Sequence, residues 1–251
     1  MKALKLTIRL GLVFLLFLTL STQNPPTLVD LDSVNSPIGS KHILGTDRLG
    51  RDHLALLGFG ILSAVLFSIP ARFLTLSLSL LLASVPYHFF QKILSVFASV
   101  FLSIPSLLIA LIALAILGEG MSSVIIALIL SDWAVPWETY RTKVQEVSMA
   151  PFFKQSLMMG ASPYFLFRFH IIPAMWSLSR FLFVTGIPGV IMSLALFSYL
   201  GVSFDSMGLG PGLGEQISFS KDTFSENSLS LLLPIAGIIV VIYSFSEGRK
   251  D

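Results

Sequence analysis

Residues 54–87 carry a single charged side chain, Arg72, and that run constrains the chain more than any other feature. As one helix it would reach about 50 Å at 1.5 Å per residue, against a hydrocarbon core of roughly 30 Å. Further apolar runs lie at 7–22, 93–118, 122–137, 177–201 and 229–245, the first and fourth of them short. A soluble protein with a large core does not need runs of this length. The apolar share is 54% and the mean hydropathy +0.85, above the roughly 45–50% apolar content of soluble domains. The expected fold class is all-α: a polytopic membrane protein of about six transmembrane helices forming one domain, 1–251.

Run 54–87 is too long for one perpendicular crossing and contains Pro70 and Arg72. Its first half is read as partly outside or interfacial, with the crossing centred nearer 69–87. Arg72 then snorkels to a polar edge, or else contacts a substrate. The N-terminus, with Lys2, Lys5 and Arg9 ahead of an apolar stretch, fits either a first span or a cleavable signal peptide. With six crossings and the N-terminus inside, eleven basic residues fall on inner segments and Lys41, Arg48, Arg51 and Lys221 on outer ones. The positive-inside rule therefore places both termini in the cytoplasm of a cell-membrane protein. It makes 23–53 and 202–228 outer loops and 138–176 the largest inner loop.

The outer loop contains "HILGTDRLGRDHL" (42–54), a dense charged block in a chain of which only 12% is charged. Asp47 or Asp52 is placed to cap the helix that follows. Local physics alone reads the block as a capped turn near the headgroups.

Other chemistry is thin. There is no cysteine, and the net charge of +2 argues against a nucleic-acid partner. His42, His53, His88 and His170 are scattered without metal-site spacing. The span serines lack a G-x-S-x-G elbow and are expected to satisfy helix carbonyls or bridge neighbouring helices. Asp132 beside Trp133 is a carboxylate in or near a span. It fits an interfacial position or the proton relay of an ion-coupled secondary transporter, although no internal repeat accompanies it. A non-transport membrane scaffold is a third class.

The 42–54 block closely resembles H-x-L-G-T-D-x-x-G-R-D in permeases of the dipeptide/oligopeptide/nickel class of ABC importers, C-type subunit. Gly45, Thr46, Asp47, Gly50, Arg51 and Asp52 match at the same spacing. The resemblance extends through 103–133, "LFSYLGVSF" (196–204) and "FSEGRKD" (245–251). It implies the type I ABC importer permease fold, with the block as a structural clamp ahead of the second span. It further implies a second homologous permease, two ATPase subunits and an extracytoplasmic solute-binding protein, importing peptides or a related small solute such as a nickel chelate.

That class carries E-A-A-x-x-x-G in its inner loop, followed by I-x-L-P, as a helix that docks into a groove on the ATPase. Here "KQSLMMGASPYFLFRFHIIPAM" (154–175) keeps Gly160, Ala161, Ser162, Arg168, His170 and Pro173 at the family spacing. A glycine gives a short helix a left-handed exit. Ser162-Pro163 then starts a second helix, Ser as cap and Pro in its first turn. Phe165, Phe169 and Ile172 space as one apolar face. The front departs from the pattern: Lys154, Gln155 and Ser156 stand where the family has Glu-Ala-Ala. A co-adapted ATPase, a weakened transporter and coupling mainly through the partner permease all fit this departure. No P-loop occurs, so ATP and Mg²⁺ are expected on the partner, with no enzyme activity, metal or cofactor on this chain. "GLGPGLGE" (208–215) is read as turn punctuation.

Overall fold

The computed structural model describes residues 25–85, 88–118, 120–202 and 209–245, together with Gly11 and Thr19. Its helices are α1 (His53–Ala83), α2 (His88–Ser103), α3 (Ser106–Leu117), α4 (Met121–Asp132), α5 (Ala134–Met149), α6 (Pro151–Met158), α7 (Pro163–Leu166), α8 (Ile172–Tyr199), α9 (Leu213–Ser220) and α10 (Ser228–Phe245). Short 3₁₀ turns lie at Leu31–Ser33 and Lys221–Thr223, and a π turn, Phe167–Ile171, joins α7 to α8. One isolated bridge, Thr46 to Asp52, is the only β pairing among the described residues.

Among the described residues, three stretches are long and apolar enough to cross a membrane: His53–Ala83, Pro163–Tyr199 and Ser228–Phe245. Two bent pairs bring the number to five if each is one span: Phe90–Ser103 with Ser106–Leu117, bent by 99°, and Met121–Asp132 with Ala134–Met149, bent by 51°. These five fall on the expected runs from 54 onward. The expected first span, 7–22, lies outside the described residues apart from Gly11 and Thr19. The 99° bend has a local cause. Pro105 follows Ile104 at the break, and a proline disfavours helical backbone at the residue before it.

The chain divides into two compact units. One comprises Met1–Ile69, Gly118–Val124 and Ile187–Asp251; the other comprises Pro70–Leu117 and Ile125–Gly186. In the first, Leu57 and Ile61 of α1 and Leu213 of α9 approach Gly237 of α10. Gly214 lies so close to the Ala195 carbonyl that no side chain fits between them. In the second, Trp133, Trp137, Tyr140, Met175 and Leu76 form the buried centre, with Phe101 edge-on to Trp133 at 5.4 Å between ring centroids.

The 54–87 run forms one helix, α1, unbroken through Pro70, and Leu54, Ala55, Leu56 and Leu57 near its start are buried in protein. One expectation is corrected here. The Gly-rich stretch after 208 is only partly turn. Gly210 has a left-handed φ of 69°, but Gly212 caps α9 and Gly214 lies inside it. Gln216 of α9 is buried, donating to the carbonyls of Leu56 (2.8 Å) and Pro211 (2.9 Å).

The serines behave as expected. Ser77, Ser84, Ser99 and Ser103 each donate to the carbonyl four residues back. Ser79 bridges instead to the Trp133 carbonyl at 2.9 Å.

Candidate functional site

The 42–54 block folds on itself, which accounts for its density of charge. Asp47 Oδ1 accepts from the backbone N–H groups of Leu49 and Arg51, both at 2.9 Å. Its Oδ2 lies 2.7 Å from both Nε and Nη2 of Arg51, two guanidinium donors on one oxygen. Asp52 Oδ1 accepts from the N–H groups of Leu54 (2.8 Å) and Ala55 (3.3 Å), capping α1. Its Oδ2 lies 2.9 Å from His42 Nδ1. Of the two candidate caps, Asp52 serves the helix and Asp47 serves the turn.

Backbone sterics fix the same knot. Gly45 has φ 74°, and a Cβ there would sit 2.6 Å from the Ser36 carbonyl oxygen. Gly50 has φ 71°, and a Cβ there would fall on the Asp30 carbonyl. Thr46 is fully buried; its hydroxyl donates to the Ser33 carbonyl and accepts from Ser36 N–H at 2.8 Å. Asn227, just before α10, donates to the Thr46 carbonyl at 2.8 Å. His53 Nε2 lies 3.2 Å from Ser230 Oγ of α10. Arg48 stacks on Phe219 of α9, 3.5 Å from the ring centroid. The block thus ties the start of α1 to α9 and α10. Ahead of it, the Ser33 hydroxyl, the Asp32 N–H and then Lys41 hold the Asp30 carboxyl below its ordinary value.

The second cluster is the α6–α7 hairpin. Pro151 opens α6 at a position where a missing N–H costs nothing. Gly160, φ 81°, ends it. Gly160 N–H donates to the Leu157 carbonyl (3.0 Å) and Ala161 N–H to the Ser156 carbonyl (3.1 Å), the paired bonds of a Schellman stop. Ser162 Oγ then accepts from Phe165 N–H at 3.2 Å, with Pro163 in the first turn of α7. Both the left-handed exit and the Ser-Pro start match the sequence reading. Phe165 and Phe169 stack at 4.8 Å and are exposed; Ile172 is half-buried.

His170 anchors the hairpin. Its Nε2 lies 3.0 Å from Ser156 Oγ, and its ring packs against Phe152, Phe153 and Phe165 at 5.5–6.0 Å. Lys154, Gln155, Arg168 and Pro173 are exposed. The tip is apolar: Leu157, Met158 and Met159 are 57%, 86% and 88% exposed. Pro173 explains the π turn, because it offers no N–H to the Phe169 carbonyl and crowds it.

The third feature is Arg72. Snorkelling is ruled out: Arg72 is 5% exposed. It pairs through Nη1 with Asp132 and donates from Nε and Nη2 to the Leu182 carbonyl at 3.1 and 2.7 Å. Gly186 makes room for it; a Cβ there would overlap the guanidinium. Asp132 is therefore a counter-ion, which takes away the feature that suggested a proton relay. Sequence reasoning noted both charges without joining them. The available signal was that a carboxylate in an apolar span does best beside a cation from another span. Among the described residues, no group of three or more His, Asp or Glu is placed to hold a metal.

Comparison with known proteins agrees with this geometry. Residues 75–247 match the family described as the binding-protein-dependent transport system inner membrane component. The chain is 25% identical over 231 residues to a glutathione transport system permease protein of Pectobacterium atrosepticum, covering 88% of this chain and 75% of the relative. It is 25% identical over 229 residues to an oligopeptide transport system permease protein of Bacillus subtilis (88% and 74%). To a metal-staphylopine import system permease protein of Staphylococcus aureus it is 24% identical over 247 residues (95% and 85%). An apolar all-helical chain, matched along most of its length to inner-membrane transport components, belongs to the permease subunits of binding-protein-dependent ABC importers of the peptide and nickel type.

Proposed function

We propose that this chain forms half of the translocation path of an importer for peptides or a related small solute such as a metal chelate, and that its α6–α7 hairpin receives the ATPase stroke. The observation that carries this is the hairpin itself. A short helix with a glycine stop offers three exposed apolar side chains, Leu157, Met158 and Met159, and is braced from behind by His170. Such a tip suits an apolar groove on a soluble partner. In this reading a solute-binding protein delivers cargo on the outer side. A second permease completes the path, and two ATPase subunits bind ATP and Mg²⁺, this chain holding neither. The hairpin and both termini lie in the cytoplasm, and the knotted block, Gly45 to Asp52, stabilises the outer end of α1.

Lys154 and Gln155 stand exposed on the docking helix, and Ser156 faces His170 inside the hairpin. Reversal of charge at 154 asks for a carboxylate on the ATPase groove, so we favour a co-adapted partner. Gentle extraction of the tagged chain, with mass spectrometry of what copurifies, tests the assembly. A second permease and P-loop ATPases support it; a homo-oligomer without an ATPase overturns it. Lys154→Glu then separates the explanations: reduced transport with the native ATPase supports co-adaptation, and improved transport supports a weakened loop.

A further inference from the structure

A groove of about 560 Å³ runs between the second half of α1 and the first half of α8, floored by Tyr140 of α5. Its walls are two helical stripes. Leu76 and Leu80 lie on one, and Ile172, Met175 and Phe183 on the other, at the i, i+3, i+4 spacing that keeps side chains on one helix face. The floor is closely packed: Leu76, Met175 and Tyr140 are 6%, 1% and 0% exposed, and the Tyr140 hydroxyl donates to Ser179 Oγ at 2.8 Å. From 172 to 184 the α8 wall is about 18 Å long, close to the roughly 15 Å depth of one bilayer leaflet.

The α8 wall is marked chemically partway along its length. Trp176, 66% exposed, and Arg180 both line the groove. A helical side chain leans back over the preceding turn, which brings the Arg180 guanidinium toward the level of Trp176. Unlike Arg72, Arg141 and Lys143, which pair with Asp132, Glu138 and Glu146, Arg180 pairs with no carboxylate among the described residues. An apolar slot that continues about 12 Å along α8 beyond Trp176, with an indole and an uncompensated guanidinium at its head, matches an amphiphile with an anionic head.

We propose that this groove holds an acyl chain of an anionic phospholipid, its phosphate on Arg180 and its headgroup beside Trp176. The occupant is a lipid rather than a free anion because the walls are parts of α1 and α8, two membrane-spanning helices, and the slot beyond the cation is apolar.

The test is native mass spectrometry of the complex as extracted with this chain, incubated with phosphatidylglycerol or phosphatidylcholine and then progressively delipidated. The expected result is phosphatidylglycerol retained about five-fold better than phosphatidylcholine, the scale set by one basic residue near a lipid surface. Arg180→Gln should lose that preference. Lys143→Gln, which removes a cation already paired with Glu146, should keep it. Ser77→Phe, which plugs the groove and leaves Arg180 in place, should lower retention of both lipids. Equal retention of the two lipids by the wild type, or an unchanged preference in Arg180→Gln, would overturn the proposal. So would cross-linking through Ser77→Cys, a single thiol in a cysteine-free chain, to a neighbouring permease in native membranes. That outcome would make the groove a protein interface.

Discussion

Gly160 offers the sharpest test of the coupling hairpin, because backbone conformation and space can be separated there. Its φ is 81°, and a Cβ added to it would meet nothing within 4 Å. A substitution therefore costs only what the left-handed backbone costs. For an ordinary L residue that is about 1–2 kcal/mol, worst for a β-branched one, and small for Asn, whose side chain tolerates this region. The two bonds at stake, Gly160 to Leu157 and Ala161 to Ser156, lie at an exposed tip, so the loss stays local. A penalty of one to two kcal/mol shifts the hairpin away from this exit by roughly 5–30-fold. The variants Gly160→Asn, Gly160→Ala and Gly160→Val should then fall in that order in coupling, measured as solute taken up per ATP hydrolysed by the assembled transporter. Membrane abundance, followed by gel filtration of the tagged chain, should stay level across the series. Wild-type coupling in Gly160→Val would refute the argument. Gly160→Asn as poor as Gly160→Val would refute it differently, by showing that the bare surface matters and the φ does not.

Three more outcomes follow from the geometry. Asp132→Asn strands a buried guanidinium and should lower thermal stability in detergent by about 3–5 kcal/mol, with the double variant Arg72→Met/Asp132→Asn recovering most of it; single and double variants alike would refute the pairing. Gly50→Ala combines a left-handed φ with overlap on the Asp30 backbone and should cost about 2–5 kcal/mol, against about 1–2 for Gly118→Ala, where φ is 77° but nothing crowds the Cβ; equal shifts in melting temperature would refute it. Asp30 is held below its ordinary value by Ser33, Asp32 and Lys41, so it stabilises the 31–33 turn above that value and loses this as pH falls through its folded pKa. The stability difference between wild type and Asp30→Asn should accordingly be present at neutral pH and vanish as pH is taken well below 3.8; a difference independent of pH would refute it.

What could be read in advance was what lies within four residues along the chain. Asp52 caps the N–H groups two and three positions on. Gly160 and Ser162-Pro163 end one helix and begin the next within four positions. Each is a local rule acting on a local donor. What escaped is what closes over distance or depends on shape. Arg72 and Asp132 are sixty residues apart, and His53 meets Ser230 across 177. Helix α9 hid behind glycines because Gly214 serves close packing against Ala195 rather than a turn. Pro105 did carry a signal for the α2–α3 bend, but unbroken hydrophobicity across 93–118 masked it.

The same accounting shows where a partner is needed. In the knotted block, Asp47 answers Arg51, Asp52 answers His42, and Arg48 lies on Phe219. In the spans, Asp132 answers Arg72. These groups find their partners inside the chain, as the proposed clamp role of the block requires. The hairpin is built the opposite way. Its inner face is closed, since the Ser156 hydroxyl gives its only hydrogen to the Phe152 carbonyl at 3.0 Å and so accepts from His170 Nε2–H. Its outer face is open: Lys154 and Arg168 pair with no carboxylate among the described residues, beside an apolar tip. A closed back and an open front suit the coupling role proposed for the hairpin. In the proposed coupling role, Lys-Gln-Ser in place of the Glu-Ala-Ala that the resemblance implies changes both faces at once: Ser156 bonds the back, and Lys154 sets the charge offered at the front.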